Sequence, residues 1–374
     1  MEIKIDRETL LKGIYRVQGI LEKRSNMPIL SSVLLSAKGD KLKISATDLE
    51  VSFEKSYPAK VIKSGDITLS GKRLLDISRE TNSNEIHIVE KENNWVYISD
   101  GNAHYNLSFL PPDEFPVLTG IESECVFIEI DGKVFSEMIN KTIYATTMEE
   151  SGFRLSGVFL EDIHSDHNVY FRMVSTDGHR LSLIDKKVKN IDKLEMKNGI
   201  MIPKKSLIEL NKFVLEEETI FIGLQKNNFI AKKNDSLIVI RLLDSKFPDY
   251  KNMLPEKNKD DTIITISKKN LLDTMRRMMI VGGDQYKGVI FNISDDYIEM
   301  ISENPDLGDV KEKIDIKYKG KTIKAGFNPK YFIDALQPLE SETIFLDIKD
   351  ENSPCFITGE IDDGFIGLIM PIRI

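Results

Sequence analysis

Ile3-Lys4-Ile5-Asp6-Arg7-Glu8-Thr9-Leu10-Leu11 is an alternating run that passes through an aspartate into an amphipathic helical pattern. The phrase returns as Ile128-Glu129-Ile130-Asp131-Gly132-Lys133-Val134-Phe135 and as Ile264-Thr265-Ile266-Ser267-Lys268-Lys269-Asn270-Leu271-Leu272. The central isoleucines, Ile5, Ile130 and Ile266, are 125 and 136 residues apart, the length of a small domain. Strand, cap and helix recurring at that interval predict a triplicated domain, and a chain of 374 residues has room for three cores.

A second echo lies inside each repeat. Asp66-Ile67-Thr68-Leu69-Ser70-Gly71-Lys72-Arg73-Leu74, Gly199-Ile200-Met201-Ile202-Pro203-Lys204-Lys205-Ser206-Leu207 and Thr322-Ile323-Lys324-Ala325-Gly326-Phe327-Asn328-Pro329-Lys330 each run from a strand pattern into a helix start. Ser70, Pro203 and Asn328-Pro329 suit a helix N-terminus. Residues 32–36, 41–45, 51–57, 85–89, 95–99, 219–224, 236–242, 288–293 and 343–348 are short alternating or β-branched runs separated by Gly, Asp and Asn. That pattern belongs to antiparallel meanders. The expected fold is α+β: three similar domains, 1–120, 125–253 and 261–374, each with two helices packed on curved antiparallel sheet. Residues 118–125 and 254–261 read as linkers.

Hydrophobic residues make up 41% of the chain and charged residues 30%, ordinary values for a globular protein. The opening Met1-Glu2-Ile3-Lys4 contains no apolar targeting segment, and the longest apolar stretch, 365–372, is far too short for a membrane span. A cytoplasmic protein is expected. Cys125 and Cys355 form no CxxC pair and no disulfide framework, so both read as reduced structural thiols.

The net charge of −9 argues against a protein that grips nucleic acid by overall basicity. The distribution argues otherwise. The helix windows 7–24, 72–80, 132–148, 203–214, 267–280 and 328–337 hold 18 Lys and Arg against 8 Asp and Glu, leaving the remaining 294 residues at −19. On a helical wheel Ile14, Val17 and Leu21 lie within about 40° of Leu10, while Lys12, Arg16 and Lys23 cluster roughly 200–240° away. The apolar stripe is expected to face the sheet and the basic stripe to face outward. Six helices, none of them net acidic, on an acidic chain would sum into a track for a polyanion.

Met27-Pro28-Ile29-Leu30, Thr47-Asp48-Leu49-Glu50, Gly71-Lys72-Arg73, Leu110-Pro111-Pro112-Asp113-Glu114-Phe115-Pro116, Thr176-Asp177-Gly178-His179-Arg180-Leu181, Phe247-Pro248-Asp249-Tyr250, Gly326-Phe327-Asn328 and Met370-Pro371-Ile372-Arg373-Ile374, in that order and spacing, resemble the bacterial sliding clamp family, the β subunit of DNA polymerase III, over essentially the whole length. The resemblance implies a head-to-tail homodimer that closes a ring of six domains around double-stranded DNA, without sequence readout and without a cofactor. It implies DNA contacts at Arg24, Lys72, Arg73, Arg79, Lys204, Lys205, Arg276 and Arg277, and a dimer interface at Tyr105, Leu107, Ile280 and Val281. It implies a hydrophobic cleft for short linear motifs, walled by Leu155, Thr176, Gly178, His179, Arg180, Leu181, Pro248, Met253 and Leu368, with a second pocket of Asn328, Tyr331, Pro354, Met370, Pro371, Ile372 and Arg373. The motifs would come from the polymerase III catalytic subunit, the clamp loader, other polymerases and repair proteins.

Three other readings compete. Asp177 and His179 could form the acid–base pair of a hydrolase, but no nucleophile elbow, P-loop or dinucleotide fingerprint accompanies them. His164-Ser165-Asp166-His167 has metal-ligand composition but sits in a polar turn without a further ligand. A scaffold for another polyanion or a protein partner would use the same repeats. Residues 176–181 and 370–374 have no sequence equivalent elsewhere in the chain, so repetition is expected to build the shape and these segments to recruit partners.

Overall fold

The computed structural model describes residues 1–22, 26–116, 120–122, 124–147, 156–165, 168–196, 198–215, 218–255, 263–282 and 288–373. Six helices occur among them: α1 Arg7–Val17, α2 Gly71–Glu80, α3 Gly132–Asn140, α4 Lys204–Leu215, α5 Lys268–Gly282 and α6 Pro329–Leu336. The recurring phrase does what its chemistry dictates. Asp6 Oδ2 accepts the Thr9 N–H and hydroxyl at 2.8 Å each, Ser267 Oγ accepts the Asn270 N–H at 3.4 Å, and Asn328 caps α6 by accepting the Lys330 N–H at 3.0 Å ahead of Pro329. Those backbone donations hold the Asp6 carboxyl below its ordinary pKa.

All nine expected strand runs are strands, to within two residues at their ends. They form four antiparallel sheets among the described residues. One eight-stranded sheet runs Phe127–Asp131, Thr219–Gln225, Asn228–Lys233, Ser236–Arg241, Val51–Pro58, Lys41–Thr47, Ser32–Lys38, Gly65–Ser70. The other runs Ile263–Ser267, Thr343–Asp347, Cys355–Gly359, Phe365–Ile369, Arg180–Lys187, Asn168–Thr176, Gly157–Ser165, Ile200–Pro203. Each begins at the strand of a recurring phrase and ends at the strand of a second echo. A five-stranded sheet has His104–Ser108 at one edge, and a four-stranded sheet has Gly308–Asp315 at one edge.

Two compact units result: Met1–Gly132 with Ile208–Leu242, and Lys133–Leu207 with Leu243–Ile374. The central repeat is shared between them because its strands continue the sheets of both neighbouring repeats. Ser236–Arg241 pairs with Val51–Pro58, and Arg180–Lys187 pairs with Phe365–Ile369. Hydrogen-bonded ladders therefore cross the repeat boundaries without a break.

Two helices stop well short of their windows. α1 stops at Val17, where Gln18 Nε2 donates to Ile14 O and Gly71 O and the chain turns at Gly19. A side chain at Gly19 would collide with the Glu209 carboxylate. α3 stops at Asn140 because side-chain hydroxyls take up the carbonyls that follow: Ser182 Oγ donates to Lys141 O, and Ser175 Oγ to Thr142 O at 2.5 Å. Met275 and Met278 are fully buried core residues of α5, whereas Met279 is exposed.

Candidate functional site

The sequence 176–181 ends one strand and begins the next, and its residue types leave it one conformation. Thr176 Oγ1 accepts the Gly178 N–H at 3.1 Å and donates to Arg180 O at 2.6 Å; Asp177 Oδ1 accepts the N–H groups of His179 and Arg180 at 3.0 and 3.1 Å. Gly178 has φ +86°, a left-handed conformation that glycine takes without steric cost. The Asp177 carboxylate thus bonds the His179 backbone, and its second oxygen accepts from Arg180 Nε at 2.9 Å. Engaged in this way, Asp177 does not orient the His179 ring, and the hydrolase pair is not assembled.

Arg180 is the post of this site. Its side chain is 9% exposed and its guanidinium donates to Asp177, to Asp334 Oδ2 at 2.7 Å and to Tyr144 O at 2.7 Å, while lying over the Tyr331 ring at 4.5 Å. Burial disfavours its charge, but Asp334 and Asp177 outweigh burial and hold its pKa above the ordinary value. Arg180 therefore fastens α6 to the turn and does not present itself as a cleft wall.

Beside the turn, Val174, Leu181, Leu183, Tyr250, Phe356 and Leu368 form a buried apolar cluster, extended by half-buried Phe159, Phe247, Leu254 and Met370. Phe247 stacks on Phe159 with ring centroids 4.9 Å apart and meets Tyr250 edge-on at 6.0 Å. Arg172 holds Asp185 with both arms, at 2.7 and 2.6 Å, and donates to Tyr250 Oη at 3.2 Å. Tyr250 in turn donates to Glu161, and burial raises its pKa. Pro248 and Met253 are exposed next to this cluster, which leaves adaptable apolar surface open to a ligand.

The terminal segment is drawn to the same place by backbone. The Met370 N–H donates to His179 O at 2.9 Å, and the Ile372 N–H to Gly326 O at 2.8 Å. Thr176, Gly178, His179, Arg180, Leu181, Pro248, Met253, Asn328, Tyr331, Pro354, Leu368, Met370, Pro371, Ile372 and Arg373 all belong to the second compact unit. Leu155 lies outside the described residues. Sequence reasoning missed Phe247, Tyr250 and Phe356 as the floor and Asp334 as the anchor of Arg180. The first two stand in Phe247-Pro248-Asp249-Tyr250, where an aromatic flanking each side of Pro-Asp was the available signal; nothing local marks Phe356.

The turn is not unique. Residues 47–52 repeat it: Thr47 Oγ1 accepts the Leu49 N–H at 3.0 Å, Asp48 Oδ1 accepts from Glu50 and Val51 at 3.0 and 2.6 Å, and Leu49 has φ +76°. The expectation that 176–181 lacks an equivalent is corrected. The hydrogen-bonding residues Thr and Asp persist, whereas the side chains between and after them diverge and hide the match.

The basic residues separate into displayed and engaged. Lys72, Arg73 and Arg79 are exposed on α2, opposite buried Leu74, Leu75 and Ile77. Arg276 lies 3.5 Å from Asp273, and Arg277 is held by Glu312, with Nε at 2.7 Å. Lys205 is half-buried, and Lys204 is half-buried beside Arg180, its pKa lowered by burial and by that neighbouring positive charge. Arg24 lies outside the described residues. Arg16, expected on the outward stripe of α1, is instead buried: its guanidinium meets Glu209 at 3.2 Å and lies 4.5 Å from the Phe53 ring. The Glu209 carboxylate supplies the counter-charge that makes burial tolerable.

At the sheet edges, Tyr105 and Leu107 are half-buried on His104–Ser108, and Ile280 is 75% exposed near the C-terminal end of α5, next to half-buried Val281. His164 Nε2 lies 3.0 Å from Asp162, while Asp166 and His167 lie outside the described residues. No group of three His, Cys, Asp or Glu placed to hold a metal ion occurs among the described residues. Cys355 is buried and Cys125 half-buried, and burial raises both thiol pKa values. None of the described helices is long and apolar enough to cross a membrane.

Comparison with known proteins places this geometry. Family models for the DNA polymerase III beta subunit match in succession: the N-terminal domain at residues 1–119, the central domain at 129–249 and the C-terminal domain at 251–373. The beta sliding clamp of Buchnera aphidicola is 30% identical over 381 residues, and that of Pseudomonas aeruginosa 26% over 378, each covering all of both chains. Among solved structures, a Caulobacter crescentus polymerase III beta aligns with a TM-score of 0.91 at 26% identity over the whole of both chains. A Bartonella birtlesii sliding clamp bound to griselimycin aligns with a TM-score of 0.93 at 26% identity, again over the whole of both chains. The chain belongs to the DNA polymerase III beta subunit family, the sliding clamps that serve as non-catalytic processivity factors of the polymerase.

Proposed function

We propose that two copies of this chain close head to tail into a ring around duplex DNA, slide on it without reading sequence, and tether partner proteins through the cleft beside residues 176–181. The observation that carries the tethering is the apolar cluster around Leu181, Leu368, Tyr250 and Phe356, which opens at exposed Pro248 and Met253 on a frame locked by Arg180. Such a pocket suits short linear motifs with apolar anchors. The partners are the polymerase III catalytic subunit, the clamp loader, and other polymerases and repair proteins that act on DNA in the cytoplasm.

The ring closes at two unpaired edges. The His104–Ser108 edge, with Tyr105 and Leu107, meets the Gly308–Asp315 edge of the second copy, and Ile280 and Val281 lose their exposure there. A heterologous contact of this kind forms a closed ring only if its rotation returns to the start. Lys72, Arg73 and Arg79, with Arg24, Lys204, Lys205, Arg276 and Arg277, supply loose phosphate contacts, because topology rather than affinity retains the DNA.

Retention on nicked circular DNA, compared with the same DNA linearised, tests the whole reading. A loaded ring remains on the circle through gel filtration and runs off the linear ends. Equal retention on both forms would mean ordinary binding and would overturn it.

A further inference from the structure

The twin turn at residues 47–52 extends into a twin groove. Register carries the match outward from the turn: Thr47 faces Ser52 as Thr176 faces Leu181, and Ser52 faces Val239 as Leu181 faces Leu368. The Arg241 N–H donates to Glu50 O at 2.8 Å, as the Met370 N–H does to His179 O at 2.9 Å. Asn228 pairs with Arg241, and extending the Cys355 to Ile369 register by one residue sets Pro354 opposite Met370. Ser52, Asn228, Val239 and Arg241 thus stand in the first compact unit where Leu181, Pro354, Leu368 and Met370 stand in the second.

They line an open groove of about 330 Å³. Its shape follows the cleft's frame, but its chemistry is inverted. Of the four positions only Val239 stays apolar; the other three carry a hydroxyl, already bonded to Thr47 Oγ1 at 2.8 Å, an amide and a guanidinium. Neither the exposed Arg241 guanidinium nor the Asn228 amide has a side-chain hydrogen bond or ion pair among the described residues. Lys226 also lines the groove, its ammonium 2.6 Å from Glu122, and Glu50 contributes one carboxylate. An unpaired guanidinium fork beside an amide is a carboxylate receptor, and the small apolar floor leaves little for a leucine or phenylalanine anchor.

We propose that this groove is a second docking site, for an extended acidic segment of a partner protein. The proposal rests on the reading of the other groove as a peptide cleft, whose turn-and-strand frame this groove shares. One chain then holds two grooves of the same architecture and opposite preference, one for apolar anchors and one for carboxylates. A partner that carries both kinds of segment would engage the clamp at two points, and its avidity would exceed either contact alone.

Fluorescence polarisation on the full-length protein at roughly physiological salt tests this with two labelled hexapeptides. One carries two leucines and a phenylalanine; in the other, glutamates replace all three. Replacing Arg241→Ala with Asn228→Ala is expected to weaken the acidic peptide about tenfold or more, the scale of one lost charge-assisted contact, and to leave the apolar peptide unchanged. Pro354→Asn with Met370→Arg is expected to weaken only the apolar peptide. Lys72→Ala with Arg73→Ala is expected to change neither. Loss of acidic-peptide binding in the Lys72, Arg73 variant would trace it to the helix face and overturn the second groove, as would no saturable binding of that peptide. Either result leaves the cleft reading intact. An apolar peptide indifferent to the Pro354, Met370 variant would sink the cleft reading, and with it the analogy on which the second groove rests.

Discussion

Arg180→Ala tests whether the cleft depends on a buried post. The substitution strips donors from Asp334 Oδ2 at 2.7 Å, Asp177 Oδ2 at 2.9 Å and Tyr144 O at 2.7 Å. Breaking a buried ion pair by removing one partner costs about 3–5 kcal/mol. Asp177 and Asp334 are 15% and 23% exposed, so water can reach both, and the low end of about 3 kcal/mol applies. The lost contact with the Tyr331 ring at 4.5 Å adds about 1 kcal/mol. The total of about 4 kcal/mol corresponds to nearly three orders of magnitude in an opening equilibrium. Hydrogen exchange across α6 reports on this site, and its protection is expected to fall by about that factor, together with affinity for the apolar peptide. Arg180→Lys keeps the charge but loses the fork, so about half of the effect is expected to return. A change below about 1 kcal/mol, or a coupling near zero in a double-mutant cycle with Asp334→Ala, would refute the assignment.

Glu209→Ala leaves Arg16 charged and buried in the first unit, where both side chains are less than 7% exposed. A loss of about 3 kcal/mol is expected in urea unfolding followed by Trp95 fluorescence, and a value below about 1 kcal/mol would mean that the pair is not structural. Lys72→Ala with Arg73→Ala is expected to flatten the salt dependence of DNA binding by about 0.9 per lost phosphate contact. Arg276→Ala with Arg277→Ala should flatten it less, because Asp273 and Glu312 already engage those groups; equal slopes would contradict that ranking. Asp362 gives a pH dependence. Burial raises its pKa, but hydrogen bonds from Lys141, Ser341 and Glu340 outweigh burial and hold it at about 2 against an ordinary 3.8. A pKa depressed by folding stabilises above about pH 4 and loses that contribution as pH falls toward 2, so about 2 kcal/mol is at stake. Thermal unfolding of Asp362→Asn is expected to be flatter than wild type over that interval, and parallel curves would count against the pairing.

Much of the architecture was legible because it rests on short-range chemistry. The strand, cap and helix phrase works within nine residues, since Asp6 and Ser267 satisfy helix donors only three positions away. Strand runs were legible for the same reason, and the order of the family motifs pointed to the family that the three domain models match. Arg16 was misread because its partner, Glu209, lies 193 positions away, and no helical wheel contains that carboxylate. The second turn was missed because only Thr47 and Asp48 carry the hydrogen bonds that define it, while Leu49 takes the left-handed conformation that Gly178 advertises.

By itself the sequence determined the local elements, their threefold recurrence and the net positive charge of the helices, all properties of neighbours along the chain. Tertiary structure decided which charges are displayed and which are consumed, since that depends on carboxylates brought in from distant strands and helices. It also decided that strands of the central repeat complete the sheets of both neighbours, so compactness does not follow the repeat. The same two turns, with Leu181 beside one and Ser52 beside the other, border an apolar cluster and a polar groove. That difference lies in what the sheet register places across from each turn, which no sequence window spans.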